Sequence, residues 1–239
     1  MGTQRVVVAD LDGTLLGDAG ALDRFAEWHR ADGSNHLLVY ATGRSMASLR
    51  ASIAETALPE PDASITGVGS EIYDRHGRPW PGWLARFEHW DAQAVRAALA
   101  QFRWLDLQPE AAQTRLKTSY LVAGLAPADR TSIEQALRQA GLVASISYSE
   151  RRYLDVLPAG AGKGHAARCV VESWGLRPGV VMVFGDSGND LQMFEMGYSG
   201  TVVANAEPEL IAALGPSVYR SALAYADGVL DGIRHWTAD

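Results

Sequence analysis

Asp10 and Asp12 stand two residues apart where an unbroken apolar run, Val6-Val7-Val8-Ala9, stops, and Gly13 and Thr14 follow at once. On extended backbone, residues two apart project to the same side, so the two carboxylates can share one site. They repel each other unless a cation lies between them or one keeps its proton. Gly13 lets the chain turn sharply, and the Thr14 hydroxyl can tie that turn. Taken alone, D-x-D-G-T also fits an Asx-rich turn closing a core strand. Three further places carry chemistry. Thr42-Gly43-Arg44 offers a hydroxyl, a backbone turn and a guanidinium where a helix begins, a position that favours an anion. Lys163 opens another helix, where the positive dipole end disfavours an ammonium unless an anion meets it; a solvated surface lysine is the alternative. Gly185-Asp186-Ser187-Gly188-Asn189-Asp190 packs two aspartates and an asparagine into one turn, hard oxygen donors suited to Mg2+.

The elements that must hold these groups follow from periodicity. Val6 to Ala9 has the continuous hydrophobicity of a parallel strand covered on both faces. Leu22, Phe25 and Ala26 recur at helical spacing and Gly33 reads as the stop; His36 to Tyr40 is a second strand, and Leu49 and Ile53 mark a second helix. Ala63 to Thr66 reads as a third strand, with a glycine turn leading from Gly67 to a short strand. Val180 to Phe184 is a late core strand after a helix from Lys163 to about Trp174. Thr201 to Val203 is the last sheet strand expected, and helices near Pro208 to Leu214 and Asp227 to Trp236 finish the chain. Each chemical station therefore falls at the carboxyl end of a strand or at the helix start beside it, which in an open α/β sheet is one crevice.

Between residues 83 and 160 the pattern changes. Trp80, Trp83, Phe87 and Trp90 crowd at the boundary; such aromatics can stack on a sugar, but packing at a domain junction is the preferred reading. A helix through Val95, Ala98, Leu99 and Phe102, a strand at Thr118 to Val122, and a helix through Ile133, Ala136, Leu137 and Ala140 follow. Two strands come next, Leu142 to Tyr148 and Tyr153 to Leu157. This order predicts a small open sheet backed by two helices, with Pro158 to Gly162 as a hinge-like return.

The 239 residues, 47% hydrophobic, suffice for one large core plus a smaller domain, and a net charge of −7 argues against nucleic-acid and anionic-membrane surfaces. A small-molecule partner is expected. One cysteine, Cys169, excludes an internal disulfide and a Cys-based zinc cluster, and the six histidines lack metal-ligand spacing. With no signal-peptide pattern and no run of membrane-spanning length, the cytoplasm is the expected compartment.

D-L-D-G-T, T-G-R, the lone Lys163 and G-D-S-G-N-D, in that order, resemble the four motifs of the haloacid dehalogenase superfamily of phosphohydrolases. The resemblance spans the whole chain. It implies an α/β fold: a Rossmann-like doubly wound parallel sheet core, 1–82 and 161–239, with an inserted α+β cap of the C2B type, 83–160. Finer matches resemble the sucrose-phosphate and mannosylfructose-phosphate phosphatases: A-T-G-R-S, G-V-G-S-E-I-Y, W-L-x-x-F-E-H-W, K-T-S-Y, L-D-V-L-P and V-x-N-A-x-P-E-L. The terminal A-D-G-V-L-D-G-I-R-H-W is more similar to the mannosylfructose enzymes.

The resemblance implies a Mg2+-dependent sugar-phosphate phosphatase, a monomer or weak dimer, with sucrose 6-phosphate as the expected substrate. Asp10 would be the nucleophile and Asp12 the acid and base, while Thr42 and Lys163 hold phosphate oxygens. Asp10, Asp186 and the Asp12 carbonyl would hold the metal, with Asn189 and Asp190 orienting the ligands. Gly43, Arg44, Glu71, Lys117, Ser119, Asp155 and Asn189 are the further substrate candidates. Lys117 and Ser119 share a strand face, whereas Tyr120 points the other way into the core. A phosphosugar mutase or a non-enzymatic sugar-phosphate sensor would use much of the same apparatus; the sensor would not need Asp12.

Overall fold

The computed structural model describes residues 4–32 and 35–238. In chain order the strands of the larger sheet are β1 (Arg5–Ala9), β2 (His36–Ala41), β3 (Ala63–Thr66) and β4 (Glu71–Asp74), then, after the insertion, β9 (Val181–Gly185), β10 (Ser199–Val202) and β11 (Tyr219–Arg220). Their order across the sheet is β11-β10-β9-β1-β2-β3-β4, parallel throughout except β4, which returns antiparallel to β3. β1 sits in the middle because its valines are fully buried on both faces. Val6 and Val8 pack toward α5 (Lys163–Ser173), and Val7 and Ala9 toward α1 (Ala19–Asp32) and α8 (Tyr225–Thr237). Helices α2 (Met46–Glu55), α6 (Leu191–Phe194) and α7 (Pro208–Ala213) complete the layers. Chain direction across the sheet diverges on either side of β1, so the carboxyl ends of β1, β2 and β9 border one crevice.

The second sheet is antiparallel, in the order β5-β6-β8-β7: β5 (Asp106–Leu107), β6 (Thr118–Leu121), β7 (Ala144–Ser149) and β8 (Tyr153–Pro158). Helices α3 (Ala92–Leu99) and α4 (Pro127–Gln139) cover one face. Val95, Leu99, Ile133 and Leu137 there meet Tyr120, Leu154 and Val156. Tyr120 is accordingly core. The other face carries the register row Ser119, Asp155 and Ser147, and it turns toward the crevice.

Several boundaries depart from the sequence reading. α3 stops at Leu99, so Phe102 lies beyond it; β7 begins at Ala144 rather than Leu142; and Val180 belongs to a 3-10 turn before β9. Thr201 to Val203 is not the last sheet strand: β11 pairs beyond β10 through two residues, too few to leave a hydrophobic pattern. The expected helix stop at Gly33 lies outside the described residues. Trp80 packs edge-on to Trp174 and Trp83 to Phe87, and Trp83 is 1% exposed within the larger sheet's core. These rings pack. Among the described residues, no helix is long and apolar enough to cross a membrane.

Candidate active site

β1 extends its ladder by one more bond, Asp10 N–H to the Phe184 carbonyl at 3.0 Å, which fixes Asp10 beside the end of β9. Asp186 lies one residue past that end. Its carboxylate accepts from the buried Thr14 hydroxyl at 2.7 Å, so the hydroxyl expected to tie the first turn instead joins it to the late acidic turn. Gly13 is obligatory there: its φ is +85°, and an added Cβ would stand 2.3 Å from an Asp186 carboxylate oxygen. Asp190 is wholly buried. One of its oxygens accepts from the backbone N–H groups of Asp186 and Ser187 at 3.0 and 3.1 Å, and the other from Lys163 Nζ at 2.7 Å.

Lys163 reaches this centre from the first turn of α5. Gln192 Oε1 takes up the N–H groups of Gly164 and His165 at 2.9 and 3.2 Å, satisfying donors that the helix start leaves free. The ammonium, 0% exposed, bridges Asp190 and Asp10, each at 2.7 Å. Gly69 fits against the same helix start, since a Cβ there would fall 2.1 Å from the Gly162 carbonyl carbon. Between Gly67 and Gly69, Val68 holds φ +60°, a strained value for a β-branched residue. Its N–H bonds the Thr42 carbonyl at 3.0 Å, while Gly67 N–H bonds that of Arg44 at 2.9 Å. The glycine turn thus clamps the T-G-R loop to the lysine.

Three buried carboxylates here face one ammonium. Burial pushes the Asp10 carboxyl up to about 7 against the pull of Lys163, and burial with the charges of Asp10 and Asp190 pushes Asp186 up to about 9. Burial pulls the Lys163 ammonium down, but its two carboxylate partners outweigh it and hold it above the ordinary lysine value. Among the described residues, Asp10, Asp186 and Asp190 offer carboxylate oxygens within 4.8 Å of one another. Uncompensated negative charge on hard oxygen donors is what a divalent cation fits. The Asp12 carboxylate is not in this group; the Asn189 side-chain oxygen accepts from the Ser187 hydroxyl at 3.3 Å. Asp12 instead takes both forks of the Arg44 guanidinium, at 2.7 and 2.5 Å. Arg44 also donates to the Ser52 hydroxyl.

Above the aspartates opens a cavity of about 420 Å³, walled by the crevice on one side and the smaller sheet on the other. Of the substrate candidates, Gly43, Arg44, Glu71, Lys117, Asp155 and Asn189 line it. Thr42 and Ser119 are fully buried behind its wall. Thr42 Oγ1 accepts from Arg44 N–H at 3.1 Å and Ser119 donates to Asp155. Lys117 Nζ lies 3.5 Å from Asp155, both side chains under 10% exposed, and Glu71 accepts from Thr66 at 3.1 Å. Sequence reasoning missed Gln108, Gln113, Thr114, Glu150 and Tyr153, which also line the cavity. Gln113 was detectable only as a polar residue before K-T-S-Y; its side chain binds Ser119 N–H at 2.8 Å and fixes that strand.

The sequence profile of the sucrose-6F-phosphate phosphohydrolase family matches residues 3–237. The chain is 33% identical to the mannosylfructose-phosphate phosphatase of Agrobacterium fabrum, over 97% of this chain and 96% of that one. It is 34% identical to sucrose-phosphatase 1 of Nicotiana tabacum over 97% of this chain, but spans only 59% of that protein. A solved structure of the sucrose-phosphatase from Synechocystis sp. PCC6803, in complex with sucrose and phosphate, superposes with a TM-score of 0.93 at 32% identity, covering 98% of both chains. With the acidic centre, the lysine and the lidded cavity in place, the chain belongs to the sucrose-6F-phosphate phosphohydrolase family, sugar-phosphate phosphohydrolases of the haloacid dehalogenase superfamily.

Proposed function

We infer that this chain is a Mg2+-dependent phosphatase of a disaccharide phosphate, sucrose 6-phosphate in the first place. The observation that carries the reading is the shared cavity, in which Asp10 and Asp12 of the crevice and Lys117 and Asp155 of the smaller sheet line one space of about 420 Å³. The phosphate-directed groups lie at one end and neutral-pair hydrogen-bonding groups at the other, as a phosphorylated sugar with a second ring requires. Residues 83–160 form the proposed cap and 1–82 with 161–239 the proposed core. Mannosylfructose phosphate is the second reading. It is favoured by near-complete mutual coverage with the Agrobacterium enzyme.

Mg2+ would be held by Asp10 and Asp186, where it would neutralise phosphate oxygens and the surplus carboxylate charge. An Asp10 oxygen attacks phosphorus while the bond from phosphorus to the sugar oxygen breaks, and the departing oxygen takes its proton from Asp12. Water then attacks the aspartyl-phosphate, giving its proton to Asp12 and returning Asp10 as a carboxylate. Thr42 and Lys163 hold the phosphoryl oxygens, the positioning on which phosphoryl transfer depends. Asp190, spent on two N–H groups and the lysine, keeps Lys163 aimed. In the fork pair with Arg44, both Asp12 oxygens are taken up as acceptors. Substrate entry therefore has to open that pair, and the freed guanidinium then serves the phosphate.

The test is phosphate release with Mg2+ from sucrose 6-phosphate, mannosylfructose phosphate, fructose 6-phosphate and glucose 6-phosphate. Faster turnover of the disaccharide phosphates supports the reading. Equal or better turnover of the monosaccharide phosphates removes the disaccharide, and no turnover of any favours a sensor.

A further inference from the structure

β7 and β8 are joined at Ser149–Tyr153 by a turn closed through Arg152 N–H and the Ser149 carbonyl at 3.2 Å. Its two central residues, Glu150 and Arg151, have φ of +51° and +53°. Positive φ at both centres marks the type I′ turn, which selects Asn-Gly; a glutamate and an arginine there hold a backbone they disfavour. Strain of this kind persists where the surroundings over-determine it, and it concentrates at functional sites.

The surroundings do so here. Arg152 carbonyl accepts from Val122 N–H at 2.9 Å, tying the turn to the end of β6. The Tyr148 carbonyl rests on Gly188, in the acidic turn of the core: a Cβ on Gly188 would lie 2.3 Å from that oxygen, although the Gly188 backbone itself demands no glycine. The hairpin is thus seated against the loop that carries Asp186 and Asp190, and Glu150 lines the cavity with Asp12, Lys117 and Asp155. Burial and the carboxylates of Asp12 and Glu207 push the Glu150 carboxyl up, with Arg152 a weaker opposing influence. A carboxylate among acids repels phosphate. What it accepts are neutral hydrogen-bond donors, and a sugar ring presents several, often as adjacent pairs that both carboxylate oxygens can take.

We propose that Glu150 is a specificity-determining residue of this site: it accepts hydroxyls of the sugar portion of the substrate, and the strained, Gly188-seated turn exists to place it there. This deepens the sugar-phosphate reading and rests on it. The turn also orients the substrate, since Glu150 repels the phosphate and leaves it to the end where Arg44 and the Asp10–Lys163 centre lie.

The experiment compares sucrose 6-phosphate and mannosylfructose phosphate with acetyl phosphate, which lacks a sugar, in the wild type, Glu150→Ala, Glu150→Gln and the double variant Glu150→Asn with Arg151→Gly. Glu150→Ala is expected to lower kcat/KM for the preferred disaccharide phosphate by about 10- to 100-fold, mainly through KM, with acetyl phosphate changed by less than about threefold. Glu150→Gln, which keeps an acceptor oxygen, recovers part of the loss. The double variant relieves the turn, so its Tm rises while its disaccharide activity falls; a purely structural turn would gain stability and keep its preference. Unchanged preference in all variants, or an equal loss on acetyl phosphate, overturns the proposal. A wild type inactive on every sugar phosphate overturns the function proposed above instead, so the two failures are distinct.

Discussion

The crevice and the facing sheet both bury charged side chains, but they balance their charges differently. In the crevice, Asp10, Asp186 and Asp190 confront Lys163 alone, and two of the three carboxyls are driven upward. In the facing sheet, Lys117 and Asp155 pair one to one, with Ser119 adding a hydrogen bond. An unbalanced centre requires something from outside, whereas a balanced one can stand closed and empty and yield its bonds to hydroxyls when a ligand enters. The first arrangement suits a cation and a reaction; the second suits recognition.

The sharpest break of this contrast lies at the proposed nucleophile. Asp10→Asn is expected to lower turnover on the order of 10⁴-fold or more, because no other group lies where the aspartyl-phosphate must form. Asp12→Asn also loses turnover, yet should still accumulate phosphorylated protein from an activated donor, since it removes the proton transfers but spares Asp10. Quench-flow with a labelled donor checks both, and wild-type-like turnover by Asp10→Asn would sink the mechanism.

In the facing sheet, removing one partner leaves the other charge buried. Asp155→Ala is expected to cost about 3 kcal/mol in denaturant unfolding, because Lys117 then loses its counter-charge away from water. The same variant should erode the preference for disaccharide over monosaccharide phosphates. Retained selectivity at reduced stability would make the pair a plain structural salt bridge.

What was legible in the sequence follows the same division. The crevice could be read because its groups sit within five residues of the ends of buried strands, and continuous apolar runs such as Val6 to Ala9 announce such strands. Lys163 stood out by occupying a helix start that its charge disfavours, and its two carboxylate partners supply the reason. The Arg44–Asp12 fork was not legible, because it depends on where two loops from neighbouring strands meet. Glu150 was hidden for another reason. The run Ser-Glu-Arg-Arg between two strand candidates marks a connection, but without Asn or Gly it gives no sign of left-handed backbone. β5 and β11, two residues each, fall below any periodicity.

The unbalanced centre also predicts how stability depends on pH. Asp10 and Asp186 have folded-state values near 7 and 9 against an ordinary 3.8, so the folded chain binds more protons than the unfolded one across that interval. Stability of the metal-free protein therefore falls as pH rises from about 4 toward 9. Mg2+ held by the ionised pair, as proposed, should flatten that slope and raise Tm most at the alkaline end. Differential scanning calorimetry with and without chelator measures this; parallel curves would remove the metal from the acidic cluster.

The smallest effect gives the most direct test, because one chemical change should act with opposite signs in the two regions. Asp186→Asn removes a carboxyl whose ionisation burial holds off to about 9, while its amide oxygen can still accept the Thr14 hydroxyl, so at alkaline pH the metal-free variant should gain roughly 1–2 kcal/mol over the wild type. It should also lose the Mg2+-induced rise in Tm. Asp155→Asn likewise keeps an acceptor for Ser119 but strips Lys117 of its counter-charge, and should lower Tm. Gly13 sharpens the first half of the test: its backbone lies so close to Asp186 that the asparagine must direct its oxygen toward Thr14 and its amide toward Gly13 or the other carboxylates. An amide donor among carboxylates is favourable, which strengthens the expected gain. Equal signs in the two variants would mean that the crevice is already balanced without a cation, and the contrast between the two regions would fall with it.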